Sequence, residues 1–152
     1  MWILHSIFSQ PIDLSMIRTR NKKVLYIAPE ISSTELVSDY ENITRVHSLD
    51  RIFPSIYQLN PNLIIFDYNF IGKDMERIVR RIRTNAFYSK SKICCYKTKS
   101  EVKVDGLLKA IGVDSFIYEE ELRAAQKSNN IPSLFTEIVD RSVVSLLISA
   151  LN

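Results

Sequence analysis

An apolar run that stops on an acid, Asn62-Leu63-Ile64-Ile65-Phe66-Asp67, constrains this chain more than any other segment. Its four large apolar residues show no polar alternation, so neither face of the segment is suited to water. A short run of this kind, rich in Ile and Phe and preceded by Asn60-Pro61, reads as a strand covered on both faces. Such strands belong to parallel sheets flanked by helices. In open sheets of that type the carboxyl edge carries the chemistry, and Asp67 falls where the strand meets its loop. What Asp67 does depends on the partners the fold brings to it.

The remaining sequence alternates strand and helix patterns. Residues 23–28 read as a strand ended by Pro29, and residues 42–47 alternate like a half-buried strand. Residues 92–97 and 115–118 read as the fourth and fifth strands. Between them, Ser32-Ser33 offers an N-cap for a helix carrying Leu36, Val37 and Tyr40. Ser48 or Asp50 opens a helix with Ile52, Phe53, Ile56 and Leu59 at helical spacing. Residues 73–84 form a helix with Met75, Ile78, Val79 and Ile82 on one face, and residues 102–111 another, capped by Gly112. Residues 119–130 are polar and read as a short helix plus loop; residues 131–151 form a last helix with Pro132 in its first turn. Five successive β–α units predict an α/β fold: a flavodoxin-like, doubly wound five-stranded parallel sheet, order 2-1-3-4-5. The domain is expected over residues 22–152, after an N-terminal extension of residues 1–21.

Composition excludes several function classes. Hydrophobic residues make up 46%, enough for one substantial core and too many for a disordered chain. A net charge of +3, from 20 basic and 17 acidic side chains, is too small an excess to argue for nucleic acid. Lys73, Arg77, Arg80, Arg81 and Arg83 read as a solvated helix face, with no interleaved aromatics for stacking on bases. Residues 1–8 are apolar, but they lack a basic flank and are cut off by Gln10-Pro11, which argues against a signal peptide or membrane span. Cys94 and Cys95 are neighbours on a strand and point to opposite faces, so they read as buried thiols of a cytoplasmic, reducing environment. None of Gly72, Gly106 and Gly112 follows the first strand, where a dinucleotide fold needs its glycines. His5 and His47 lie in the extension and at the end of an edge strand, and neither is placed as a catalytic base. No enzyme activity is expected.

With the strand order and Asp67 in place, residues 22–151 resemble a response-regulator receiver domain. Residues 62–67 resemble the strand that ends in the phosphoacceptor aspartate, and Asn69 lies where that family's backbone carbonyl meets a metal ion. Gly72-Lys73-Asp74-Met75 is similar to the loop that opens the third helix, and Arg80-Arg81-Ile82-Arg83 with Asn85 to that helix's end. Residues 107–116 resemble the fourth helix, its turn and the aromatic of strand five, here Phe116. The resemblance implies two-component (phosphorelay) signalling. The departures are specific. The acidic pair that holds Mg²⁺ after strand one reads Ala28-Pro29, with Glu30 one residue on. The hydroxyl residue ending strand four is Lys97, with Thr98 beside it. The lysine ending strand five is Glu119, and the proline after it is Glu120.

Phosphoryl transfer to a carboxylate sets an anionic donor against an anionic acceptor, so a divalent ion and a placed cation must offset the charge. Ala28 and Pro29 bring no side-chain ligand, and Glu119 adds negative charge where a cation is wanted. The expectation is therefore a stand-alone, degenerate pseudo-receiver, acting as a protein-interaction module. Asp67 is its remnant acceptor, Lys97 is expected to form an ion pair with Asp67, and Thr98, Phe116 and Glu119 form the remnant switch. Two alternatives stay open: a working regulator phosphorylated on Asp67, with Mg²⁺ held by Asp67, Glu30 and Asn69, and an unrelated α/β ligand-binding domain. No cofactor is expected outside the Mg²⁺ of the first alternative. The expected partner is a kinase or output protein, since Asn152 directly follows the last helix. That helix carries more apolar residues than one stripe requires, so it packs either on the N-terminal segment or on a second copy in a homodimer.

Overall fold

A computed structural model describes residues 23–30 and 43–128. The N-terminal extension, the expected helix around Leu36 and Tyr40, and the last helix with its dimer face lie outside the described residues. Five strands form one sheet: β1 (Val24–Ile27), β2 (Ile43–Val46), β3 (Leu63–Asp67), β4 (Lys92–Lys97) and β5 (Ser115–Tyr118). Every neighbouring pair is parallel and the order is β2-β1-β3-β4-β5, as the alternation of elements predicts. Helices α1 (Ile52–Leu59), α2 (Tyr68–Ile71), α3 (Met75–Thr84), α4 (Val102–Ile111) and α5 (Glu119–Ser128) follow in chain order.

The central strands are buried on both faces, as their unbroken apolar sequence requires. Leu25, Ile27, Ile64, Phe66, Ile93 and Cys95 form one face of the sheet. They pack with Ile52 and Ile56 of α1, Met75, Val79 and Ile82 of α3, and Leu108 of α4. The alternate residues Val24, Tyr26, Ile65, Cys94 and Ile117 are buried as well. No helix among the described residues is long and apolar enough to cross a membrane.

Two features differ from the sequence expectation. The helix expected over 73–84 starts at Met75, because the chain first makes the separate turn α2, capped by the Asp67 side chain. Gly72 then takes a positive φ of 53°, which ends that turn. Arg83, expected on a solvated basic face, is instead a clamp at the amino edge of the sheet. Its guanidinium donates to the carbonyls of Ser89 (2.7 Å), Ser91 (2.9 Å) and Gly112 (2.8 Å), and to the Asp114 carboxylate (2.7 Å). The four acceptors come from the loops before β4 and β5. One planar five-donor group thereby ties α3 to both strands. Gly112, with φ 126°, leaves the room: a Cβ there would lie 2.5 Å from Arg83 Cγ.

Candidate functional site at the carboxyl edge of the sheet

Asp67 ends β3, half-buried, and its first partners are local. Its Oδ1 accepts from the backbone N–H of Asn69 (2.9 Å) and Phe70 (3.4 Å), so the carboxylate caps α2. Burial pushes the Asp67 carboxyl above the usual carboxylate range; those two N–H groups pull it down and the nearby Glu119 pushes it up again. Beside it lie two tyrosines. Tyr96 pairs with Asp67 across the β3–β4 register. Tyr26, on β1, is pushed up to about 12, first by burial and then by the Asp67 charge, against the pull of Arg45. The Tyr96 phenol is also raised, by burial first, then by Glu119, Tyr26 and Asp67. Burial dominates, and the charges that face these rings from Asp67 and Glu119 are negative.

The other residues singled out in the sequence fall around this edge. Asn69 lies against Thr98: its Nδ2 donates to the Thr98 hydroxyl at 3.0 Å. Ala28 is buried, Pro29 is exposed, and Glu30 is exposed with no hydrogen bond or ion pair among the described residues. His47 sits at the end of β2, with Nδ1 3.1 Å from the carbonyl of Ala28, and so joins the two strand ends. Glu119 opens α5 and is held by Arg123, whose Nη2 lies 2.7 Å from Oε1. Phe116 is half-buried against the core and stacks on Tyr118, with ring centroids 6.1 Å apart. Asp67, Glu119, Asn69 and Thr98 thus share one end of the sheet.

Lys97 corrects an expectation. It does not pair with Asp67. The register places Asp67 opposite Tyr96, so Lys97, one residue further along β4, leaves the strand towards the opposite face. There it is 1% exposed, and its Nζ bonds Asp105 Oδ1 of α4 and lies 3.4 Å from Glu101 Oε1. Nζ also sits 4.8 Å from the centre of the Tyr68 ring. Asp105 Oδ2 accepts from the Tyr118 hydroxyl (2.7 Å), the Glu101 N–H (3.0 Å) and the Ser100 hydroxyl (3.3 Å). Burial raises the Asp105 carboxyl, but the bonds from Lys97, Tyr118 and Glu101 more than offset it and hold it below the usual range. For Lys97 burial works downward, and the bonds and charges of Asp105 and Glu101 outweigh it, leaving the ammonium above its ordinary value.

Sequence reasoning missed Asp105 and Tyr118. A signal was present: Asp105 stands three residues before Leu108, on the buried stripe of α4, where an acid needs a partner.

No family model matches the sequence, and no curated protein matches it. The fold does have counterparts among solved structures. The signal receiver domain of a DNA binding response regulator from Colwellia psychrerythraea superposes with a TM-score of 0.57 at 12% identity, over 66% of this chain and 87% of that one. The chemotaxis response regulator CheY4 of Vibrio cholerae gives 0.54 at 20% identity, over 64% and 86%. A response regulator from Thermotoga maritima gives 0.52 at 13% identity, over 85% and 99%. The chain has the fold of response-regulator receiver domains.

Proposed function

We propose that this protein is a receiver-fold interaction module of two-component signalling that works without Mg²⁺-dependent phosphorylation of Asp67. The observation that carries the reading is the state of Lys97. Where the resembled family has a hydroxyl that senses phosphate, this chain has a buried cation already satisfied by Asp105 and Glu101. A phosphoryl group on Asp67 would find no free ammonium there, and releasing Lys97 would leave Asp105 buried without its counter-charge.

The metal donors support the same reading. Mg²⁺ takes one or two carboxylates together with waters and substrate oxygens, in near-octahedral geometry. Asp67 has one oxygen engaged as a helix cap, Ala28 and Pro29 offer no side-chain donor, and Glu119 is held by Arg123. No group of three His, Cys, Asp or Glu side chains suited to a metal occurs among the described residues. Glu30, the remaining candidate carboxylate, is exposed beyond Pro29 and belongs with Asp67 to no group of three such ligands among the described residues, so the donor set is short for the ion, and no step of the proposed function runs through it.

In this reading the module transmits by contact, with a kinase or an output protein as partner, and performs no reaction of its own. A cytoplasmic setting agrees with Cys94 and Cys95, both buried free thiols with pKa values pushed up to about 12 by burial. Intact-mass analysis after incubation with acetyl phosphate and Mg²⁺ tests it, with Asp67→Asn as control. No phosphate-sized mass gain is expected in the folded wild type. A gain lost in Asp67→Asn would replace this reading with that of a working phosphoacceptor.

A further inference from the structure

The face formed by α1, α3 and the loop after α3 joins aromatic rings to arginines that the sequence keeps far apart. Tyr57 of α1 and Phe87 of the loop are 64% and 52% exposed and stack at 5.3 Å. Phe87 meets Tyr88 edge-on at 5.3 Å, and Tyr88 meets Phe53 at 6.2 Å. The Arg81 guanidinium then lies over Phe53, 3.9 Å from the ring centre. The result is a ribbon of four rings with a cation at its end. Beside it runs a groove of about 410 Å³, whose apolar lining is Leu49, Phe53, Pro54 and Ile78. Arg77, Arg81 and Asp50 line it as well.

Three features make this a recognition surface rather than scattered exposure. Of the five exposed large hydrophobics among the described residues, Leu49, Tyr57 and Phe87 are gathered here. Tyr and Arg are enriched among the side chains that dominate binding energy at protein interfaces, Tyr for its large rigid area and Arg for its planar set of donors. The Arg81 guanidinium rests on the Phe53 ring, 3.9 Å from the centre, and its N–H groups have no carboxylate among the described residues to bond. Its neighbours Arg77 and Arg80 are paired with Asp74, just before α3, and with Glu76 in its first turn.

We propose that this face docks an acidic peptide segment of a partner protein. A large apolar or aromatic side chain of that segment enters the groove over Phe53 and Ile78, and a flanking carboxylate binds Arg81. The inference rests on the interaction-module reading and gives its partner a chemistry. It places the contact on the α1–α3 side of the domain, not at Asp67.

Selection of a random peptide library against the full chain tests it, followed by affinity measurement on wild type, Arg81→Glu and Tyr57→Ala. Both residues are exposed, so the fold should survive, and far-ultraviolet circular dichroism checks that it does. Selected peptides should pair an acid with an aromatic or large aliphatic residue. They should lose about tenfold in affinity on Arg81→Glu, the size expected for one charge-assisted contact. Basic or uncharged consensus peptides, affinity unchanged in both variants, or no selected binder would overturn the proposal. So would a concentration-dependent dimer in the wild type that Tyr57→Ala abolishes, because the occupant would then be a second copy. Phosphate uptake by Asp67 in the mass experiment removes the interaction-module reading without touching the peptide result, so the two failures are distinguishable.

Discussion

Two carboxylates at the same end of the sheet, Asp67 and Asp105, have been pushed in opposite directions. Both meet a desolvation penalty, and both accept backbone N–H bonds. Asp105 has Lys97 and the Tyr118 hydroxyl in addition, and its pKa falls. Asp67 has Glu119 and two tyrosines for neighbours, and its pKa rises. The difference comes down to where the one buried cation of β4 points. Because side chains alternate along a strand, Lys97 serves the α4 side, and on the other side Arg45 lies over Tyr26 and Arg123 pairs with Glu119, so that Asp67 has no ion pair among the described residues. The edge thus has a firmly held half, joining β4, α4 and β5, and a half whose acid is secured only by capping its own turn.

Breaking the held half should have the largest effect. Lys97→Met leaves Asp105 buried without its counter-ion, and a loss of about 3 kcal/mol of stability is expected in urea unfolding. Adding Asp105→Asn removes the stranded charge while keeping an acceptor for Tyr118 and the Glu101 N–H, so the double variant should recover about 1–2 kcal/mol. A double variant less stable than Lys97→Met would show that the pair is not the unit proposed. Tyr118→Phe deletes a single bond to a charged acceptor and should lose about 1.5 kcal/mol, with the strand itself intact.

The succession of strands and helices was legible because it follows from local signals: apolar runs, glycine and proline punctuation, and helical spacing between them; the order 2-1-3-4-5 followed from the doubly wound arrangement that five β–α units of this size favour. Asp67 was legible for the same reason, standing at the end of an unbroken apolar run. The partner of Lys97 was not. It depends on which face of β4 the lysine takes, hence on a register with a strand whose paired residues lie 29 positions earlier. Arg83 went unread because its acceptors are mostly backbone carbonyls, which have no residue identity to recognise. Arg81 went unread because its ring comes from α1, 28 positions earlier. Within α3 the arginines share one composition and have three separate roles: local ion pairs, an aromatic stack and a clamp.

The smallest effect has the opposite sign. The folded Asp67 binds its proton more tightly than the unfolded chain does, so its ionisation lowers stability as pH rises through the window from the ordinary carboxyl range to its raised pKa. Asn at this position keeps an oxygen to cap α2 and has no charge to desolvate. Asp67→Asn should therefore stabilise the protein by up to about 1 kcal/mol at neutral pH, with the gain fading as the pH falls below the carboxyl range. For Asp105 the order reverses, because its lowered pKa contributes stability above the ordinary carboxyl range that is lost as pH falls through the folded value. Asp105→Asn should thus be most harmful at neutral pH and least harmful in acid. Thermal unfolding of the two variants across the acid range measures both slopes, and slopes of the same sign would mean that Asp67 has a cation of its own.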